Sequence, residues 1–140
     1  MVDKAELHQH MMADIEKSVK RRAELLEQFE MLDEDGYPTE QCLEIIANWH
    51  WSDPEGWFAF IKEYWYIPSF GWREADVPHE FRENKIVHQF QISTGGWSGN
   101  ESIIRAMERN GMMWHFNWVQ SRRGGHYIFE IYNVPDVDVG

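Results

Sequence analysis

The chain is expected to fold as an α+β domain, with N-terminal helices packed on a three-stranded sheet of strand-helix-strand-strand order. Three observations carry that expectation. Apolar residues recur at helical spacings of three and four over the first 84 residues and alternate with polar ones afterwards. The formal charge of -11 divides at the same place: residues 1–50 carry 12 acidic and 5 basic groups, residues 51–84 carry 7 and 3, and residues 85–140 carry 5 and 5. With 140 residues, 43% hydrophobic and 26% charged, the chain can bury one ordinary core without disulfide or metal support. Residues 1–140 are therefore read as a single domain, with an acidic helical part (1–84) and a βαββ part (85–140) separated only by the irregular stretch Pro68 to Asn84.

The first helix is expected from Asp3 to about Leu32. Met12, Ile15, Val19, Leu26 and Phe29 form a narrow stripe with Arg22 at the one polar seam position, a pattern suited to packing within the chain or to a homodimer through this helix. Asp35, Gly36, Tyr37 and Pro38 supply turn chemistry. A second helix follows from Thr39 to about Trp49 with Leu43, Ile46 and Ala47 inward. The third starts at Ser52-Asp53-Pro54-Glu55, where Ser52 and Glu55 read as a capping box and Pro54 as the first helical residue, and it carries Trp57, Phe58, Ile61, Tyr64 and Trp65. Ten of the 24 residues from Trp49 to Trp72 are aromatic, more than one helix face can hide, so part of this set must pack on the sheet or on a partner.

In the second part, Ile86 to Thr94 alternates as a half-buried strand, Ile86, His88, Phe90 and Ile92 forming one face. A helix follows from about Gly99 to Asn110, with Ser98 and Glu101 as a second capping box and Ile103, Ile104 and Met107 inward. Met112 to Ser121 and His126 to Val134 then read as a hairpin around Arg122, Arg123, Gly124 and Gly125. Pairing Ser121 with His126 sets Trp118 against Phe129, Phe116 against Ile131 and Trp114 against Asn133, gathering the large apolar groups on one face, and sets His115 beside Tyr132.

The candidate ligand-binding residues are Thr94, Gly95, Gly96, Trp97, Ser98, Gly99, Asn100, Arg122, Arg123 and His126. A glycine-rich turn that leaves a strand and opens a helix exposes backbone N–H groups to an anion. The connection from Gly95 to Gly111 is long enough to cross over to a parallel strand, which would bring Arg122 and Arg123 to the same sheet edge as a phosphate or carboxylate clamp. Trp97 would add a stacking surface and His126 a donor. The turn lacks the Lys-Ser/Thr ending of a P-loop and the spacing of a dinucleotide fingerprint.

Strong catalytic motifs are missing from the sequence: no Gly-x-Ser-x-Gly elbow surrounds any serine, and no third group is seen to orient His126. Asp33-Glu34-Asp35-Gly36 fails as a calcium loop, because alignment on Gly36 puts Met31 and Cys42 at the terminal ligand positions. Glu6, His10 and Asp14 lie one helical turn apart but read as exposed helix residues. No metal and no cofactor is expected. Cys42, the single cysteine, reads as a small buried thiol, and with no signal-peptide pattern and no apolar run of membrane-spanning length the expected setting is cytoplasmic. A charge of -11 opposes nonspecific nucleic-acid binding.

The segment STGGWSGNESIIRAM, followed by MMWHFNWVQSRRGGHYIFEI, resembles a pattern found in small phage- or prophage-encoded proteins of unknown function, over roughly the last 50 residues. The resemblance implies a small accessory or host-modulating protein in which Thr94 to Glu101 and Ser121 to Tyr127 form one site; it implies no reaction. The sequence thus points to a non-enzymatic module for an anionic, nucleotide-like small molecule. An acidic module for a basic host protein, or a hydrolase of phosphate esters working through His126 or His115, are the alternatives.

Overall fold

The computed structural model describes residues 3–132. The α+β class holds: six helices accompany one antiparallel sheet, in the order α1 (Lys4–Gln28), α2 (Glu40–Asn48), α3 (Pro54–Tyr64), α4 (Pro68–Gly71), β1 (Trp72–Pro78), β2 (Ile86–Ser93), α5 (Ser98–Arg109), α6 (Gly111–Asn117), β3 (Trp118–Arg122) and β4 (His126–Ile131). The sheet has four strands, not three, in the order β1-β2-β4-β3. The extra strand is β1, within the stretch expected to be irregular. Its inward positions are Glu74 and Asp76, which pair with Phe90 and His88, so no apolar alternation announces it. Charge at inward positions of an edge strand also discourages pairing with another chain.

Every neighbouring pair is antiparallel. Because β2 and β3 each oppose β4, they run parallel to one another with β4 between them. The crossover through α5 and α6 therefore delivers the C-terminal ends of β2 and β3 to one end of the sheet, as the length of the connection suggested.

One sheet face is packed by helices. Phe58 of α3 stacks on Phe90 at 4.0 Å and touches Phe129 at 5.5 Å, and Ile92, Ile103, Ile104, Met107 and Ile131 fill the space around them. Trp57 is fully buried and its indole N–H donates to the Ile46 carbonyl at 2.9 Å, fixing α3 against α2. Cys42 is buried in the same core, where loss of solvation pushes its thiol up to about 12, an inert packing group.

Several local expectations are corrected. The cap of α3 is Asp53, whose carboxylate accepts from Gly56 N–H at 3.0 Å, while Ser52 bonds His50 instead. Ser98 lies inside α5 and makes no cap bond, so that capping box does not form either. Ile45, rather than Ala47, joins Ile46 in the buried face of α2. Residues 111–117 are helical, not strand. The buried Asn110 caps this helix, accepting from Met113 N–H, and its amide donates to the carbonyls of Ile46 and Trp49 at 3.0 and 2.9 Å. These long-range bonds override the two-residue alternation of Trp114, Phe116 and Trp118.

The hairpin keeps Trp118 opposite Phe129, but a bulge before Gln120 shifts the register, so Ser121 faces Tyr127 and Arg122 faces His126. The expected Phe116–Ile131 and His115–Tyr132 pairs do not form, since Phe116 and His115 are on α6 and Tyr132 packs beside His79. Asn133 and Val134 lie outside the described residues.

The stripe on α1 is rotated from its expected aspect. Leu25 is buried and the Arg22 guanidinium lies 3.7 Å from the centre of the Trp49 ring, so the polar seam position is a cation–π contact. Met12, Val19, Leu26 and Phe29 remain exposed.

Candidate functional site

Alternation along the strands decides what each sheet face presents. Trp72, Glu74 and Asp76 point with Phe90 toward the helices, so Arg73 points the other way, on the same face as Gln91, Ser93, His126 and Ile128. At the Val87 end this second face is closed, Val87 being fully buried. At the Ser93 end it opens into a concavity of about 560 Å³ bordered by Phe70, Arg73, Ser93, Gly95, Arg122 and His126.

Two glycine turns form the end wall. Gly95 and Gly96 adopt φ of 62° and 75°, and Gly124 and Gly125 adopt 90° and 80°, conformations that carry no penalty only for glycine. The turns are locked together because Thr94 N–H donates to the Gly125 carbonyl at 3.0 Å. A side chain on Gly125 would come within 2.3 Å of Thr94 Oγ1, so Gly125 is required by close approach as well as by φ. Across the strands, Ser93 Oγ hydrogen-bonds His126 Nδ1, and Nε2 of that ring makes no hydrogen bond among the described residues.

Arg73 and Arg122 stand on the two edge strands, three interstrand steps and two residues along the strand apart, roughly 16 Å between backbones. Both side chains leave the same sheet face and both border the concavity. Among the described residues neither forms an ion pair or hydrogen bond, and none that borders the concavity is a carboxylate. For a chain of net charge -11, such a surface is a local reversal of sign.

The ten residues expected from sequence do not all meet at one site. Gly95, Arg122 and His126 border the concavity, and Gly96 lies exposed in the adjoining turn. Thr94, Gly99 and Asn100 are buried and hold the turn in shape. Asn100 accepts from Tyr66 N–H at 2.8 Å, and its amide donates to the Tyr66 and Thr94 carbonyls at 3.1 and 3.4 Å. Arg123 is exposed at the hairpin tip and does not border the concavity; its place as second cation is taken by Arg73, which sequence reasoning missed because β1 was missed. Ser98 is an exposed first-turn residue of α5. Trp97 cannot stack on a ligand, since its ring is sandwiched between Tyr37 at 4.6 Å and Tyr66 at 4.4 Å. The exposed ring at this site belongs to Phe70.

A second polar cluster occupies the helix side of β1. His88 Nε2 and Nδ1 each lie 2.8 Å from a carboxylate oxygen, of Glu74 and Asp76 respectively, while Glu74 also accepts from Lys62 at 3.0 Å and from the Trp72 indole at 2.9 Å. Burial opposes charge on the His88 ring, but the bonds to Glu74 and Asp76 outweigh it and raise its pKa. Burial likewise works against the Glu74 carboxylate, and its bonds to His88, Lys62 and Trp72 leave its pKa lowered. This cluster borders a cleft of about 490 Å³ floored by Phe58 and Phe90.

Among the described residues no group of three or more His, Cys, Asp or Glu side chains could hold a metal ion, and no helix is long and apolar enough to cross a membrane. Asp33 Oδ1 accepts from the N–H groups of Asp35 and Tyr37 at 2.9 Å each, so the acidic loop is an Asx turn. Comparison with protein-family models, with curated proteins and with solved structures gives no match, and the functional reading stands on this geometry.

Proposed function

We propose that this protein is a small binding module that takes an anion, a phosphate or carboxylate group, on the open end of its sheet. The observation that carries the reading is the concavity that, among the described residues, is bordered by two arginines without an ion pair, by His126 and by no carboxylate. Arg73 and Arg122 supply forked donors from opposite edges, Gly95 and Gly96 bring exposed backbone at the end wall, and His126 Nε2 adds a donor. Ser93 and His126 make a hydrogen-bonded pair, but no described side chain bonds the outer nitrogen of His126, so the pair is read as a ligand-positioning contact rather than a nucleophile and base. Isothermal titration with inorganic phosphate tests the reading. Binding is expected in the wild type and a loss of about tenfold or more in either Arg73→Ala or Arg122→Ala, since a charged hydrogen bond is worth about 1.5–3 kcal/mol. Equal affinity in all three proteins would reject it.

A separate observation favours a second surface. The acidic excess lies wholly within residues 1–84, and α1 exposes Met12, Val19 and Leu26 beside it, which suits a basic protein partner or a second copy of the chain. Salt-reversible shifts of α1 and α2 amide signals on adding polylysine would support the first use, and concentration-dependent sedimentation lost in Leu26→Glu the second.

A further inference from the structure

Beside the basic concavity lies a smaller one of about 310 Å³, and the two share Phe70, Gly71, Ser93 and Gly95. Their chemistry differs. The second is bordered by Tyr66, Ile67, Phe70 and Trp97 and, among the described residues, by no charged one. Phe70 stands on the ridge between them and is 77% exposed, so its ring is open to a ligand on either side.

The backbone holds Phe70 there at a cost. Ile67 has φ 50° and ψ 65°, a left-handed conformation that a β-branched residue adopts only when its surroundings force it. The constraint comes from the preceding residue: Asn100 grips both Tyr66 N–H and Tyr66 carbonyl from a buried position, and the Tyr66 ring stacks on Trp97. On the other side, a side chain at Gly71 would approach the Ser93 carbonyl to 2.4 Å, so α4 lies directly on the end of β2. Between these two fixed points the short turn Pro68–Gly71 has little freedom. It sets the Phe70 ring over Gly95, with ring carbons 3.8 and 4.0 Å from the position a side chain would take there. Gly95 itself is required by its φ of 62°, the ring lying at ordinary contact distance above it.

Resting on the proposed anion site, we infer that the ligand is a small aromatic compound carrying a phosphate monoester, its ring packed on Phe70 and its phosphate held between Arg73 and Arg122. The two shared walls place an apolar shelf and an anion cradle on either side of one exposed ring, so a ligand with both chemistries fills both hollows at once. An inorganic anion would use only one.

Titration with three probes, inorganic phosphate, phenyl phosphate and phenol, against wild type and Phe70→Ala tests the inference. The expected result is phenyl phosphate bound about tenfold more tightly than phosphate by the wild type, from the aromatic contact and the apolar area it buries, and a ratio of the two affinities that falls to about one in Phe70→Ala. Phenol alone should bind weakly or not at all. Phosphate and phenyl phosphate bound equally, or an advantage that survives Phe70→Ala, would overturn the inference and leave the anion site standing. No binding of phosphate or phenyl phosphate would overturn both. Phe70 is exposed and makes none of the core contacts, so the variant is expected to fold; an unchanged thermal midpoint confirms that its loss of affinity is local.

Discussion

The two faces of the sheet hold charged groups of opposite fate. On the helix side, Lys62, Glu74, Asp76 and His88 satisfy one another within hydrogen-bonding distance. On the other side, one residue before Glu74 in the same strand's alternation, Arg73 borders an open hollow with Arg122 and with no counter-charge among the described residues. Both clusters are polar and both border concave surface, yet only the second lacks partners. Paired charge at a domain's edge is a structural brace; unpaired charge of one sign, in a chain whose net charge is of the other sign, is what the proposed anion site rests on. The difference separates a fold-supporting region from the proposed ligand-receiving one without appeal to any motif.

The largest expected effect probes the helix-packed side. Phe58→Ala removes a ring that is 1% exposed and stacked on Phe90, and should cost about 3–5 kcal/mol in denaturant unfolding. Next comes the support of the open side. Asn100→Ala should cost about 2–3 kcal/mol, because Tyr66 N–H and the Tyr66 carbonyl lose their bonds, and it should weaken the aromatic advantage of phenyl phosphate by freeing the Phe70 turn.

The brace itself should show a pH signature. Both His88 nitrogens face carboxylates, and only the protonated ring can donate to both. Its pKa is raised in the fold, so its stabilisation is complete below the ordinary value of 6.5 and is lost as pH rises through the raised value. Glu74 is shifted downward, so its contribution is present above the ordinary 4.5 and lost as pH falls through the lowered value. Urea midpoints followed across pH should therefore be highest between those limits, and His88→Gln should flatten the alkaline fall. The smallest expected effect on stability is that of Arg73→Ala, within about 0.5 kcal/mol of wild type, because nothing in the fold depends on that guanidinium. A larger loss would mean that Arg73 is part of the structure and would erase the contrast between the faces.

Much of this arrangement was legible in the sequence, and the parts that were not have physical reasons. The glycine turn, the Arg hairpin and their convergence followed from spacing and from the crossover length. Strand β1 escaped because its inward side chains are acids satisfied by His88 and Lys62, contacts that no local pattern reveals, and Arg73 was lost with it. Helix α6 was hidden by the alternation of Trp114, Phe116 and Trp118, while its cause, the buried Asn110, bonds to residues more than 60 positions away. Trp97 looked free because Tyr37 and Tyr66, which cover its two faces, come from distant segments.

The central claim is that the open end of the sheet, and no other surface, receives an anion. Amide and side-chain chemical shifts recorded by NMR during titration with inorganic phosphate test it most directly. The account predicts saturable shifts at Arg73, Ser93, Gly95, Gly96, Arg122 and His126, with the signals of α1 and of His88 unmoved. Shifts centred on His88 or on α1, or no saturable shift anywhere, would contradict it.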